Sequence, residues 1–229
     1  MLADKLRSAT SEGLSYVGGY AQYYGNTGGT TTVSLTSLSG GIDTTVRTDD
    51  LVLVFQSRGG SFSASAPPTP TGYTSIYRNL VGSMFETGWS LAYKKATVSD
   101  TSVQLDTSAA SNAVLIQVWR SQKPTTPIPT TNQTAISNSG RPNPPAVIPT
   151  AVGAVVAVFG ANSFPGHDVT IISPVGLKNT LSVTGSGTGI AAGYVPWVSG
   201  TVDPSTFNIG TPDSTNYSSV GISVVIDPT

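Results

Sequence analysis

Two strings decide how this chain is read: DLVLVFQSRGGSF (Asp50–Phe62) and AVVAVFGANSF (Ala154–Phe164). Each is an unbroken apolar run that ends in Phe and passes into a small polar stretch with Gly and a second Phe. The strand-end aromatics Phe55 and Phe159 lie 104 positions apart (159 − 55). A short apolar run bounded by turn signals reads as a central sandwich strand. Two such runs, followed by similar events, ask whether one β plan is written twice.

Working outward from Phe55, TTTVSLTSLSG alternates, with Val33, Leu35 and Leu38 on one side and Thr32, Ser34 and Thr36 on the other, as a half-buried strand does. The stretch Arg58–Gly72 holds Pro67, Pro68 and Pro70 and reads as a long loop. GYTSIYRNL sets Tyr73, Ser75 and Tyr77 against Thr74 and Ile76. GWSLAYKKATV sets Trp89, Leu91 and Tyr93 against Ser90, Ala92 and Lys94, which assigns Trp89 to the core. SVQLDTS and AVLIQVWR (Ala113–Arg120) complete the first half. Around Phe159 the order recurs. Strands HDVTIISPVG and NTLSVTGSG come first, then GIAAGYVPWVSG with Tyr194 in the slot of Tyr93. TVDPSTFNIG follows in the slot of ATVSDTSVQL, and SSVGISVVI closes the half.

The resulting expectation is an all-β fold, a jelly-roll-like β-sandwich made of two similar halves with a short N-terminal arm. The halves run about 30–121 and 151–229, and residues 122–150 connect them. Seven prolines between Pro124 and Pro149 make that connector extended, stiff and surface-hugging. Because a β unit cannot bury its face alone, the halves most simply supply the two sheets of one sandwich. Two tandem small sandwiches are the alternative. Residues 1–29 form the arm. Leu2 and Leu6 suit a helical turn or two, and YVGGYAQYYGNTGG puts four Tyr among five Gly. With so little aliphatic content the segment is either a frayed tail or an arm that orders on a partner. Tyr16, Tyr20, Tyr23 and Tyr24 then become candidate partner contacts.

Composition narrows the function. Hydrophobic residues make up 38% of the 229-residue chain and charged residues only 10%, against roughly 25% in ordinary domains. Gly, Pro, Ser and Thr dominate, and the only glutamates are Glu12 and Glu86, a mix that favours strands and turns over helices. The net charge of −1 and the lack of a basic stripe argue against nucleic acid as a partner. No apolar run is long enough to span a membrane, and the start MLADKLRSATSEG has no secretory pattern, so synthesis and assembly in a cytoplasm are expected. With no cysteine, disulfides and thiolate metal sites are excluded.

Catalytic material is thin. His167, the sole histidine, has no GxSxG elbow with it, and a surface loop position is the simpler reading. Glu86 reads as a solvated hairpin charge rather than half of a glycosidase pair. Asp49 and Asp50 precede a strand, where a turn uses Asp, and too few oxygen ligands surround them for calcium. GSGTG (Gly185–Gly189) lacks the Lys-Ser/Thr and helix of a phosphate loop and reads as a β-turn. Asn132-Gln-Thr134 and Asn216-Tyr-Ser218 match the glycosylation pattern, but a chain without a secretion signal does not meet that machinery. Among the aromatics that suit a sugar face, Trp197, after Pro196 near a strand end, is the better candidate contact. No catalytic residue, cofactor or metal is expected.

The stretches LADKLRSATS (Leu2–Ser11), DLVLVF (Asp50–Phe55), LAYKKA (Leu91–Ala96), VWR (Val118–Arg120), PNPPAVIPT (Pro142–Thr150) and AVVAVFGA (Ala154–Ala161) resemble a family of tailed-bacteriophage virion structural proteins. The likeness covers most of the chain, its motifs are structural, and Tyr16–Gly29 falls outside the pattern. The resemblance implies a β-sandwich on a virion and not an enzyme. The leading expectation is a capsid decoration (cement) protein that binds the major capsid protein or other virion proteins, as a homo-oligomer on the particle. A tail or tail-fibre component is the alternative within that class. A carbohydrate-binding module, needing exposed coplanar aromatics, is the alternative outside it.

Overall fold

In the computed structural model the chain is all-β. The structure describes residues 13–25, 27–61, 65–81, 86–107, 111–122, 128–137, 140–210 and 218–228. Phe62, Asn216 and the expected helical turns near Leu2 and Leu6 lie outside them. The first seven strands are β1 (Leu14–Tyr24), β2 (Thr30–Ser34), β3 (Leu51–Ser61), β4 (Thr74–Val81), β5 (Glu86–Lys95), β6 (Ser102–Asp106) and β7 (Ser111–Ser121). The next seven are β8 (Ile128–Ser137), β9 (Val155–Val169), β10 (Ile171–Ile172), β11 (Lys178–Val183), β12 (Gly185–Pro196), β13 (Asn208–Ile209) and β14 (Ser218–Asp227). No helix occurs among the described residues, so none is long and apolar enough to cross a membrane.

Two five-stranded antiparallel sheets carry the fold, in the orders β1-β7-β3-β5-β4 and β11-β12-β9-β14-β8. Read from the other end, the second order becomes β8-β14-β9-β12-β11, which follows the same route through its half of the chain as the first. The register agrees rung by rung. Ala21, Leu115, Phe55, Leu91 and Tyr77 face one another across the first sheet. Thr134, Ile222, Phe159, Ala192 and Leu181 do so across the second. Tyr93 and Tyr194 hold matching rungs, opposite Leu53 and Ala157. Outside the sheets, β2 pairs with β6, and a single Val147–Val202 bridge stands in the corresponding place of the second half. Each sheet is threaded from one contiguous half. The layers therefore follow the sequence, without the alternation of consecutive strands between sheets that a jelly-roll route requires.

Alternation along the strands explains why the central runs are apolar throughout. Leu51, Leu53 and Phe55 point inward, as do Val155, Ala157 and Phe159, and all belong to one core shared by both sheets. The shared core makes the molecule one sandwich rather than two in tandem. Val52 and Val54 point outward under Val33, Leu35, Val103 and Leu105 of the β2–β6 ribbon. Val156 and Val158 point outward under Val147, Ile171 and Phe207. A central strand buried on both faces needs no polar alternation. Across the inner layer β3 lies on β9, β7 on β12 and β1 on β11, and these are the close approaches. Small residues such as Gly19, Ala113, Ala157, Ala161 and Ala192 allow them. Trp89 and Leu91, fully buried, fill the space beneath β5.

Two expectations about boundaries are corrected. The Tyr/Gly stretch is no arm over Leu14–Tyr24. It is strand β1, paired with β7 along its length, so the sandwich begins before Thr30. Tyr and Val favour a pleated surface, and their burial comes from a sheet contributed by distant residues. The connector likewise contains a strand, β8, on the edge of the second sheet. The part that does hug the surface is 140–149, where burial alternates and the Pro145 carbonyl accepts a bond from Ser223 Oγ at 2.6 Å. A smaller correction concerns β4. A register shift between Ser75 and Tyr77 breaks the simple alternation, and both Ile76 and Tyr77 pack on the inner core.

Truncating Leu53, fully buried in the shared core, to Ala is expected to cost about 2–5 kcal/mol. Thr36→Ala, at an exposed position, is expected to cost under about 0.5 kcal/mol. Chemical denaturation of both variants checks this, and equal midpoints would contradict the assignment of faces.

Candidate functional site

The candidate contacts in β1 are distributed by the pleat. A bulge at Val17 resets the register, so Tyr16 and Tyr23 face the inner core while Tyr20 and Tyr24 face the outer cluster. Tyr16 is only 4% exposed. Its ring stands edge-on to Trp119 at 5.3 Å and stacks on Tyr194 at 5.9 Å, and Trp119 meets Tyr194 edge-on at 4.8 Å. Gly19 makes room for this trio, because a Cβ there would run into the Tyr16 hydroxyl, Leu181 Cδ1 and the Ile116 carbonyl. Tyr16 is therefore a core residue and not an exposed anchor.

The remaining candidates are half-buried and dispersed. Tyr23 Oη donates to the Ser186 carbonyl at 3.1 Å and lies within hydrogen-bond distance of Ser111 Oγ, also 3.1 Å, which ties β1 to β7 and to the facing sheet. Tyr20 Oη donates to Gln22 Oε1 at 2.6 Å and shares a 2.5 Å bond with Tyr24 Oη, forming a polar ladder on the outer side of β1. Trp197 packs on the outer cluster of the other sheet and donates from Nε1 to the Gly200 carbonyl at 2.9 Å. Tyr20 and Tyr24 therefore lie on one outer face of the sandwich and Trp197 on the opposite one. The structure does not bring the five candidates into one surface.

Burial governs the phenols. It pushes Tyr16 upward, helped by the neighbouring Tyr194, and it raises Tyr24, where the bond to Tyr20 adds to the shift. Tyr73 rises through burial and then Asp100, while Tyr77 and Tyr194 rise through burial.

The charged residues are used to tie loops to sheets. Asp50, 1% exposed, receives two bonds of 2.7 Å from Arg120 and accepts the Arg47 backbone N–H at 2.8 Å. Arg120 reaches on to Asp43 at 3.2 Å, and Asp43 pairs with Arg47 at 2.7 Å. The Asp43 carboxyl is held below its ordinary range, first by the Thr44 backbone N–H and then by Arg120. Asp49, at φ 73°, pairs with Lys95 at 2.8 Å. The acidic doublet is thus engaged by cations of the chain itself. Arg58, 1% exposed, donates to Asn112 Oδ1 at 3.0 Å, to Ser65 Oγ at 3.1 Å and to the Asp106 carbonyl at 2.9 Å. Lys94 bonds Asp100 at 2.5 Å. Burial works to raise the Asp100 carboxyl, but this bond and those from Thr97 leave it lowered. The ties of Asp50 to Arg120, Asp49 to Lys95 and Arg58 to Ser65 were not foreseen from sequence, because the partners lie in different elements.

His167 is exposed near the bulged end of β9, not in a free loop, and stacks on Phe164 at 4.4 Å. Gly185–Gly189 opens β12 instead of forming a turn. Gly187, at φ 85°, occupies the register shift against β9. The side chain of Glu86 lies outside what is described. Asn132 is exposed on β8. Among the described residues no group of three His, Cys, Asp or Glu is placed to hold a metal ion. A scan against protein-family models found no match, and searches of curated proteins and of solved structures returned no similar chain.

Tyr16→Ala is expected to cost about 3–5 kcal/mol, as large aromatic truncations do. Tyr16→Phe is expected to be neutral or slightly stabilising, because the hydroxyl is buried without a partner among the described residues. Deleting residues 1–29 is expected to unfold the first sheet rather than trim a tail. Thermal melts of the three variants check this, and an unchanged melt for the deletion would restore the arm.

The raised phenols also set a pH response. A group whose folded pKa is raised contributes stability that is complete below its unfolded pKa and is lost as pH rises toward the folded value. Stability is therefore expected to decline once pH exceeds about 10, the ordinary phenol value. Melting temperatures across that range test it, and the decline is expected to be shallower in Tyr16→Phe.

Proposed function

We propose that this chain is a non-enzymatic structural protein of a tailed-bacteriophage particle, most specifically a decoration protein on the outside of the head with the major capsid protein as its partner. The reading rests on the resemblance of the six stretches from Leu2–Ser11 to Ala154–Ala161. The observation that best supports it is how the described charges are used. Asp50 with Arg120, Asp49 with Lys95, Asp100 with Lys94, and Arg58 with Ser65 all fasten loops to sheets. A body whose ionic groups serve its own rigidity suits a passive, durable building block. The surface left to a partner is mainly hydroxyl, amide and scattered apolar, including Ile42, Val98, Val152, Val175 and Val198.

The carbohydrate-module reading needs coplanar aromatics open to solvent. Trp89 and Trp119 are fully buried, and Tyr16 is spent between the sheets.

The test is to raise an antibody against the purified protein and label intact particles under the electron microscope. Regular labelling of the head is expected. Labelling confined to the tail would replace the head assignment, and particles without the chain would overturn the virion reading. Strong, selective signals on a glycan array would favour the module instead.

A further inference from the structure

The four edge strands of the sandwich are unequally protected. An open edge is a row of free N–H and C=O groups that will pair with another strand unless something prevents it. The edge of β1 is closed from within. Gly19 and Ser39 exchange two bonds of 2.9 Å, Ile42 N donates to Tyr16 O at 3.1 Å, and Asp43 N donates to Val17 O at 3.0 Å. At β4 the edge carries Arg78, whose guanidinium is anchored to the Ala66 and Pro67 carbonyls. β11 carries Lys178 and is broken by a register shift before Leu181.

β8 has neither strap nor charge among the described residues, and its one register shift, at Thr130, lies next to its end and leaves Thr131–Ser137 regular. Its sequence IPTTNQTAIS contains no charged residue, and its Pro129 stands at one end. It pairs with β14, and among the described residues no other backbone group bonds to it. The reason is visible by comparison with β1, which holds the same place in the first sheet. Residues 35–50, between β2 and β3, supply the Ser39–Asp43 strap that closes β1. The corresponding stretch between Val147 and β9 is only 148–154, too short to return along β8. In an antiparallel pair every second residue turns its N–H and C=O away from its neighbour, so β8 presents that array outward. Ile128 and Ile136 beside it are 41% and 43% exposed.

We propose that β8 is the pairing edge for a second copy of this chain. Two β8 strands would meet antiparallel about a two-fold axis near Asn132 and join two five-stranded sheets into one. A two-fold contact requires a surface complementary to itself. An uncharged strand meets that condition because no like charges are brought together, whereas an acidic or basic partner would find no counter-charge there. The main chain would supply the affinity, as in strand addition generally. The inference stands on the edge geometry and does not depend on the particle reading.

The experiment uses the full chain in sedimentation velocity over a range of concentrations. A concentration-dependent dimer is expected. Asn132→Lys, at an exposed position, sets two lysines near the axis and is expected to weaken the dimer about fivefold to tenfold. Thr32→Lys, exposed on β2, is expected to leave it unchanged. Because the chain has no cysteine, Asn132→Cys gives an independent readout. Under mild oxidation it is expected to yield a covalent dimer, whereas Thr32→Cys is not. Circular dichroism of each variant confirms that it is folded. A monomer at every concentration, or a dimer that Asn132→Lys does not weaken and Asn132→Cys does not trap, would overturn the proposal.

Discussion

The contact on which the rest depends is between Phe55 and Phe159, whose ring centroids stand 5.4 Å apart at an interplanar angle of 56°. Each ring closes the inward face of the central strand of its sheet. The contact brings β3 onto β9, and the neighbouring strands follow: β7 onto β12 and β1 onto β11. Neither half could bury Leu51, Leu53 and Phe55, or Val155, Ala157 and Phe159, without the other, so the shared inner layer makes folding of the two halves one event.

That constraint propagates outward in layers. Once the inner faces are joined, the outward valines of β3 and β9 still need cover, and the chain supplies it locally. Val33, Leu35, Val103 and Leu105 cover the first sheet, and Val147, Ile171 and Phe207 the second. Some of the polar groups caught between the layers are matched in place. Ser57 and Thr188 share a 2.5 Å bond across the sandwich, and Gln117 Nε2 donates to the Gly193 carbonyl at 3.3 Å. Arg120 and Asp50 then pin the 43–50 loop, the same loop whose backbone closes the edge of β1. The second half has a shorter link at that position, and among the described residues nothing closes its edge strand. The two sheets thus share a plan in their interiors and differ at their margins.

The sequence by itself determined the all-β class, the central strands and the core position of Trp89. These follow from local periodicity, in which a residue and its neighbours two positions away declare the face they occupy. Tertiary structure alone decided that Tyr16–Tyr24 is a strand, that the Pro-rich connector contains another, and that Asp50 belongs to Arg120. It also decided that the candidate aromatics do not share a surface. In each of these the deciding partner is remote: Tyr16 lies opposite Trp119, Thr134 opposite Ile222, and Asp50 bonds a residue 70 positions away. An edge strand shows weak alternation because only one neighbour and part of one face bury it. For β1 and β8 identity is therefore set by the sheet each joins and not by a pattern within its own residues.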